Sequence, residues 1–336
     1  MFAEAAEAPE AVRRQLAQNR PLLSELGGRL RASPPRAVFT FARGSSDNAA
    51  TYGRYLIETR LGVVTGSSAP SVASVYEARP GMSGMLCLAV SQSGRSPDLV
   101  AQAEAAREAG GLVVALVNDP GSPLAEAAEV VVQLSAGPEL SVAATKSYIA
   151  SLSALAQLTA LWSGDEALLA GLEALPEQLE HAFARDWSRA RGPLAGAQSL
   201  YVVGRGVGFS VAQEAALKFK ETCGLHAEAF SAAELRHGPM ALVERGFPVL
   251  VFAQDDETRE GVDAVAEVCL ARHAIVLKAG GAALLGAVQL PSAPAHPALE
   301  PIGFALSFYR MAADLALARG FDPDRPPNLK KVTETL

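Results

Sequence analysis

The chain has 336 residues, of which 49% are hydrophobic and 19% charged, and its formal net charge is -7. This length and composition are typical of a globular protein with about two domains and sizeable cores. The acidic balance disfavours a nucleic-acid-binding protein, because such proteins usually present a basic face. The N-terminal stretch is acidic and helical in pattern, and no apolar run approaches the ~20 residues of a membrane span. We therefore expect a cytoplasmic protein with no signal peptide, membrane anchor or nucleic-acid partner.

The three cysteines, Cys87, Cys223 and Cys269, are odd in number and far apart in the sequence. They form no Cys-x-x-Cys pair, and no spacing of histidine, cysteine and carboxylate residues matches a zinc site. We expect reduced and mostly buried thiols, as is usual in the cytoplasm. We expect neither a metal nor a cofactor.

Eight short apolar runs alternate with helical patterns along the chain. Because each run is apolar on both faces, it is typical of a parallel strand covered by helices. The alternation predicts open, doubly wound α/β sheets. The runs are AVFTFA (37–42), MLCLAV (85–90), LVVALV (112–117), EVVVQL (129–134), SLYVVG (199–204), PVLVFA (248–253), AIVLKA (274–279) and AVQL (287–290).

The pattern of strand, tight turn and helix is repeated in the second half of the chain. Arg43, Gly44 and Gly62 in the first half match Arg205, Gly206 and Gly224 in the second, each pair separated by 162 residues. Three such matches without a gap predict two copies of one α/β domain. We predict an N-terminal helical segment (1–36), a first domain (37–164), a helical connector (165–197), a second domain (198–320) and an irregular, proline-rich tail (321–336).

A polar loop, SQSGRSPD (91–98), follows the second apolar run and precedes a helical pattern. Its hydroxyl, amide and backbone N–H donors stand before a helix N-terminus, where the helix dipole also favours an anion. The second copy has AQDDET at the equivalent place, and its carboxylates would repel a phosphate. We predict a phosphate cradle in the first copy, with an ordinary capped loop as the alternative. The candidate ligands are Ser91, Gln92, Ser93 and Ser96.

A second helix start, ARGSSD (42–47), follows the first apolar run. Neighbouring parallel strands place such loops side by side at the carboxyl edge of the sheet. We therefore expect Ser46 close to the cradle. A role for Ser46 as a helix cap is the alternative, and the two roles are compatible.

Three charged residues of the second copy fall on one helix face. Glu214, Lys218 and Glu221 stand at i, i+4 and i+7, and the rest of this helix is unusually apolar. They could line a cleft in which Lys218 balances the charge of Glu221, leaving that carboxylate able to move a carbon-bound proton. The spacing by itself favours the alternative, a ladder of solvated ion pairs.

His237 is followed by Gly238 and Pro239, which end a helix and place the ring in a turn. An imidazole with a pKa near neutrality is suited to moving the proton of a sugar hydroxyl. A structural role is the alternative, and it is the commoner one for an isolated histidine.

Five motifs together resemble the SIS (sugar isomerase) family over nearly the whole chain. They are SQSG (91–94), SVAATK (141–146), EAALKFKE (214–221), HAEAFSAAELRHGP (226–239) and PPNLKK (326–331). Within the family, the chain is similar to the isomerase half of glucosamine-6-phosphate synthase. The resemblance implies two tandem flavodoxin-like (SIS) domains, each an open doubly wound parallel sheet with helices on both faces, that bind a phosphorylated sugar.

The resemblance also implies roles for individual residues. Ser91, Gln92, Ser93 and Ser96 would bind the phosphate, with Ser46 and Val142 nearby and with Glu214 and Arg95 supporting the site from behind. Glu221 would move a proton between C1 and C2 of the sugar, close to Lys218. His237 would open the ring, and in the family it comes from the neighbouring subunit, which implies a homodimer. Lys331 matches the tail lysine that reaches the sugar.

Two departures from the synthase shape our expectation of the reaction. The synthase begins with a glutaminase domain, whereas here the first apolar run begins at residue 37. The synthase loop usually has an acidic residue where this chain has Arg95, and ARGSSD (42–47) and SQSGRSPD (91–98) together look more like the SIS-type glucosamine-6-phosphate deaminases. We expect an isomerising deaminase that converts glucosamine 6-phosphate and water to fructose 6-phosphate and ammonia. The alternatives are another phosphosugar aldose–ketose isomerase, a sugar-amine deglycase, or a phosphosugar sensor without catalysis.

Overall fold

A computed structural model describes residues 1–329 and residue 331 of the chain. The first half forms a five-stranded sheet in which every pairing is parallel, in the order β2–β1–β3–β4–β5. Its strands are β1 (Val38–Phe41), β2 (Thr65–Ser67), β3 (Leu86–Ser91), β4 (Leu112–Val117) and β5 (Val130–Gln133). The helices of this half are α1 (Phe2–Ala6), α2 (Ala8–Ala32), α3 (Ser45–Leu61), α4 (Ser71–Ser74), α5 (Pro97–Glu108), α6 (Pro123–Ala127) and α7 (Lys146–Ser163).

The second half repeats this arrangement. Its strands are β6 (Ser199–Gly204), β7 (His226–Ser231), β8 (Pro248–Phe252), β9 (Ile275–Ala279) and β10 (Val288–Leu290), in the parallel order β10–β9–β8–β6–β7. The helices are α8 (Glu166–Ala184), α9 (Arg191–Ala195), α10 (Val207–Cys223), α11 (Ala232–Leu235), α12 (Arg259–Ala271) and α13 (Glu300–Ala318). Short 3-10 helices cover Ser188–Ala190 and Pro239–Leu242. Both sheets have the flavodoxin-like order, so the predicted fold class is confirmed.

The sequence repeat corresponds to a structural repeat. Helices α3 and α10 begin and end at positions that differ by 162 residues. Each follows a glycine with positive φ, 55° at Gly44 and 58° at Gly206. Each ends at a left-handed glycine, Gly62 or Gly224. These conformations are costly for residues with a Cβ, which explains why the sequence keeps glycine at both ends of both helices.

All eight strands predicted from apolar runs are present, whereas β2 and β7 were not predicted. Each of these two lies at an edge of its sheet and pairs with one neighbour, β1 or β6. The edge strand β2 consists of Thr-Gly-Ser and has no apolar side chain. In β7 the apolar residues are interrupted by exposed polar ones, so hydrophobicity alone gives little indication of a strand.

The chain divides into two compact units, each containing one sheet. One unit comprises residues 10–139, 146–173 and 330–336, and the other comprises residues 1–9, 140–145 and 174–329. The domain limits predicted from the sequence stay a proposal. The predicted connector contains α8 and α9, and residues 330 and 332–336 of the predicted tail lie outside the described residues.

The three cysteines lie among the buried core residues of the two halves. All three are buried and free, and burial raises the pKa of Cys87 to about 12 and those of Cys223 and Cys269 to about 11. Protonated thiols of this kind are unreactive. In the described part of the chain, no helix combines the length and the apolar character needed to cross a membrane.

Candidate functional site

The loops that follow β1 and β3 meet at the carboxyl edge of the first sheet. The guanidinium of Arg43, after β1, donates two hydrogen bonds to Oδ2 of Asp98, from Nε at 3.0 Å and from Nη2 at 2.7 Å. Asp98 lies in the first turn of α5, and its side chain is fully buried. This ion pair, in which one carboxylate oxygen accepts from both nitrogens, links the segment before α3 to the first turn of α5. The order of the strands reverses here, and this is where open α/β sheets bind ligands.

The SQSG loop is folded by hydrogen bonds of its own serines. Oγ of Ser91 accepts a hydrogen bond from the backbone N–H of Gly94 at 3.1 Å, and Oγ of Ser93 accepts one from that of Arg95 at 3.3 Å. Gly94 has a φ of 63°, and a Cβ on it would lie 2.1 Å from Oγ of Ser122. Glycine is therefore required at this turn for its conformation and for space.

Three predicted phosphate ligands keep polar groups available beside this loop. The side chains of Ser46, Gln92 and Ser96 are partly exposed, and no described residue forms a hydrogen bond with them. Ser96 begins α5 without capping it through its hydroxyl. A free hydroxyl beside a helix N-terminus is suited to bind an anion, and these residues stay the predicted ligands.

Arg95 extends sideways from the loop. Its Nη2 donates a 2.8 Å hydrogen bond to Oδ2 of Asp119, which follows β4. A backbone N–H from Gly121 and the bond from Arg95 hold the pKa of the exposed Asp119 carboxyl below its usual range. Arg95 therefore links the loop to the end of the next strand, and its role behind the phosphate ligands stays a prediction.

The same place in the second sheet is filled by a side chain. Gln254, the counterpart of Gln92, is fully buried, and its Nε2 donates to the carbonyl of Arg205 at 2.7 Å and to Asp256 at 3.0 Å. The counterpart of Ser46 is Gly208, and a Cβ there would lie 2.3 Å from Oε1 of Gln254. The carboxamide thus fills the space beside the helix start in the second sheet. The asymmetry read from AQDDET therefore has a structural basis.

Glu214, Lys218 and Glu221 form a continuous ion-paired cluster on α10. Nζ of Lys218 lies 3.3 Å from Oε1 of Glu214 and 2.6 Å from Oε2 of Glu221. The exposed fraction of the side chain is 0% for Glu214, 1% for Lys218 and 22% for Glu221. The alternative of a solvated ion ladder is wrong, because two of the three charges are buried. Glu221 is the member that reaches solvent.

The charge state of the buried lysine follows from its two neighbours. Burial alone lowers the pKa of Lys218, but the carboxylates of Glu214 and Glu221 outweigh this effect and raise the pKa above its usual value. The ammonium is therefore kept charged between them. Tyr309 of α13 donates a 2.8 Å hydrogen bond to Oε1 of Glu214, a contact that sequence reasoning missed.

The remaining predicted residues lie in separate surroundings. His237 is exposed in the turn after α11, and its backbone N–H donates to the carbonyl of Glu234. Val142 belongs to the same unit as α10, and its backbone N–H donates to the carbonyl of Asp324. In the other unit, Nζ of Lys331 donates a 3.2 Å hydrogen bond to the buried carboxylate of Glu139. The roles of these three residues stay predictions.

We expect removal of the Lys218 charge to change how stability depends on alkaline pH. Because the pKa of Lys218 is raised in the folded state, its contribution to stability is complete below its unfolded pKa of ~10.4. That contribution is lost as the pH rises further, through the folded value. The free energy of unfolding in urea should therefore fall less steeply between about pH 10 and 11 in Lys218→Met than in the wild type.

Lys220→Met, on the exposed face of the same helix, is the matched control and should keep the wild-type slope. Equal slopes for Lys218→Met and the wild type would contradict the assigned charge state.

The chain was compared with protein families and with curated sequences. The SIS domain model matches residues 33–161 and 193–278. A glutamine–fructose-6-phosphate aminotransferase [isomerizing] from Aeropyrum pernix is 35% identical over 316 residues, covering 86% of this chain and 49% of the relative. The chain thus spans about half the length of the curated relatives it matches.

Solved structures show the same fold over nearly all of the chain. A candidate phosphosugar isomerase from Silicibacter pomeroyi has a TM-score of 0.91 and 44% identity, covering 96% of this chain and 99% of its own. The C-terminal domain of a glucosamine-fructose-6-phosphate aminotransferase from Francisella tularensis has a TM-score of 0.87 at 23% identity, with 96% and 97% covered. A glucosamine-6-phosphate deaminase from Thermotoga maritima has a TM-score of 0.72 at 20% identity, with 97% and 100% covered. The chain belongs to the SIS domain family.

Proposed function

We propose that the protein is a cytoplasmic, isomerising glucosamine-6-phosphate deaminase. It would convert glucosamine 6-phosphate and water to fructose 6-phosphate and ammonia. The observation that carries the proposal is the cluster on α10, in which a buried ammonium holds the partly exposed carboxylate of Glu221 at 2.6 Å. A fixed, accessible carboxylate is the group needed to move a proton between adjacent carbons.

The structural repeat supports a chemical role for this cluster. Subtracting the repeat offset of 162 from Glu214, Lys218 and Glu221 gives Tyr52, Leu56 and Thr59 on α3. The first copy therefore builds the same helix without charge at these positions. Buried ion pairs can often be replaced by apolar residues without loss of stability. The fold does not require the three charges, which favours a catalytic reason for them.

In the proposed reaction, the SQSG loop with Ser46 binds the phosphate and so fixes the position of the sugar. Hydroxyl and backbone N–H donors at two helix starts would share the phosphate oxygens. Binding through the non-reacting phosphate would then contribute to orienting the carbons that react.

The chemistry begins with ring opening, in which His237 moves the proton between the anomeric hydroxyl and the ring oxygen. Glu221 then takes the proton from C2, and the aldehyde oxygen at C1 takes a proton from the substrate's own ammonium group, which gives the neutral enolamine. Glu221 returns its proton to C1, which leaves an iminium ion at C2. Water adds to this iminium, the C–N bond breaks, and the ketone and ammonium leave.

The two lysines differ in what they can do during these steps. Lys218 is 1% exposed, so we assign its effect to the charge of Glu221 and not to contact with the sugar. Lys331 is a quarter exposed, and we propose that its ammonium stabilises the negative charge that develops on the enolamine oxygen.

The alternative functions would use the same residues for a different reaction or for binding without catalysis. A different aldose–ketose isomerase would use Glu221 and His237 without releasing ammonia, and a deglycase would release an amino acid in place of ammonia. A phosphosugar sensor would need the phosphate loop but not the buried cluster on α10. The deaminase from Thermotoga maritima shares the fold, and Arg95 is the loop residue that led us to prefer deamination.

The first test measures both products of the proposed reaction. With glucosamine 6-phosphate, the wild type should release ammonia and fructose 6-phosphate in equal amounts. Glu221→Gln keeps the shape of the side chain but cannot take the C2 proton, so turnover should fall by about 10²–10⁴ while sugar phosphate binding by calorimetry is retained. Glu244→Gln, an exposed substitution elsewhere in the second half, is the control and should keep full activity.

Binding of glucosamine 6-phosphate without either product would exclude the deaminase and favour the sensor. Fructose 6-phosphate as a substrate for isomerisation, with no ammonia from the amino sugar, would favour a plain isomerase. Full activity in Glu221→Gln would remove this residue from its assigned role.

The second test addresses the phosphate loop through Gly94. In Gly94→Ala the new methyl group meets Ser122 and the positive φ is strained by about 1–2 kcal/mol, so the loop should shift. KM for the sugar phosphate should rise about tenfold while kcat changes less. Gly81→Ala is the control, because a Cβ at Gly81 meets nothing within 4 Å. An unchanged KM in Gly94→Ala would contradict the proposed cradle.

We also propose a homodimer in which His237 serves the neighbouring subunit, and its exposure in a turn supports this role. His237→Asn and Glu221→Gln should each be inactive alone. After they are unfolded and refolded together in equal amounts, half of the dimers are mixed, and each mixed dimer has one intact site. Activity should therefore recover to about a quarter of the wild-type value. No recovery in mixtures that contain mixed dimers would place His237 in the site of its own subunit.

A further inference from the structure

Tyr309 continues the α10 cluster into the core of its unit. It lies on α13, and its side chain is fully buried, as is that of Glu214. Its hydroxyl donates to Oε1 of Glu214 at 2.8 Å, the same oxygen that lies 3.3 Å from Nζ of Lys218. Polar contacts therefore run from Tyr309 through Glu214 and Lys218 to Glu221.

The four side chains that these contacts connect differ in their exposure to solvent. Tyr309, Glu214 and Lys218 are buried to within 1%, whereas Glu221 has 22% of its side chain exposed. The contacts therefore lead from the interior to the group assigned as the base. A displacement of Glu214 would be passed to the ammonium of Lys218, and from there to the carboxylate of Glu221.

A hydrogen bond from a neutral donor is well suited to this position. It occupies one carboxylate oxygen of Glu214 without adding a second positive charge that would compete with Lys218 for Glu221. It also fixes the direction from which Lys218 is held, because Tyr309 is anchored on a different helix, α13. Phe219 and Phe308 pack edge to face between α10 and α13, with ring centroids 5.0 Å apart, so the two helices are held at a fixed separation.

We propose that Tyr309 is a positioning residue for the proton transfer at Glu221, acting through Glu214 and Lys218. This inference rests on the proposed function, in which Glu221 is the base. Tyr309 touches no substrate in this role. Its hydroxyl determines where Glu214 holds the ammonium, and the ammonium determines where the base stands.

The test uses Tyr309→Phe, which removes the hydroxyl and keeps the ring. We expect kcat for glucosamine 6-phosphate to fall about tenfold, the usual effect of losing one hydrogen bond to a charged group. KM should stay within about twofold, because the phosphate loop belongs to the other unit and is untouched. Exchange of the C2 proton with deuterium from solvent should slow by the same factor as kcat.

Tyr52→Phe is the matched control. Tyr52 is also fully buried, and it occupies the repeat position of Glu214 in the first copy, on α3. Removing its hydroxyl alters a buried tyrosine outside the cluster, so it should affect thermal stability but leave kcat and proton exchange unchanged. A decrease in kcat in both variants would assign a general structural role to Tyr309 and overturn the inference.

A double-mutant cycle separates action through Glu214 from an independent effect. If Tyr309 acts through Glu214, then Tyr309→Phe should cause no further loss of kcat when Glu214→Gln is already present. Additive losses would contradict the inference. Wild-type kcat in Tyr309→Phe, with Glu221→Gln inactive, would overturn this inference alone, whereas activity in Glu221→Gln would overturn the proposed function itself.

Discussion

The ammonium of Lys218, buried between two carboxylates, is the interaction on which the proposed chemistry depends. Burying a charge is costly unless partners compensate for it, and here Glu214 and Glu221 do so within 3.3 Å and 2.6 Å. One positive and two negative charges leave the cluster with a net charge of -1. Since Glu214 and Lys218 are buried, Glu221 is the residue at which the cluster's charge is accessible from solvent.

The two copies of the domain differ at the carboxyl edge of the sheet, where the first helix of each copy begins. In the first sheet, Arg43 and Asp98 join the two helix starts from the side and leave the hydroxyls of Ser46 and Ser96 accessible. In the second sheet, Gln254 fills the equivalent space and needs Gly208 to fit there. The second copy has no such space beside its helix start, and its helix α10 carries the charged cluster instead. In the proposed function, the first copy binds the phosphate and the second moves the proton.

Sequence patterns predicted the features that depend on neighbours along the chain. Buried parallel strands, the repeat offset and the shared face of Glu214, Lys218 and Glu221 all follow from local periodicity. The edge strands β2 and β7 were not predicted, because an edge strand needs little apolar surface. The burial of Lys218 could not be predicted either. Residues at i and i+4 share a helix face, but this spacing is the same whether the face is exposed to solvent or buried. The contact with Tyr309 comes from a residue 95 positions away and leaves no local signal.

The comparison of α3 with α10 gives the strongest physical reason to treat the cluster as functional. Both helices end at a left-handed glycine and are offset by 162 residues, yet α3 places Tyr52 and Leu56 where α10 has Glu214 and Lys218. Both pairs are fully or almost fully buried. The same helix can therefore be packed with uncharged side chains, without the desolvation of an ion pair. The three ions at one of two equivalent places, with one carboxylate at the surface, are therefore the observation on which we base the proposed role of Glu221.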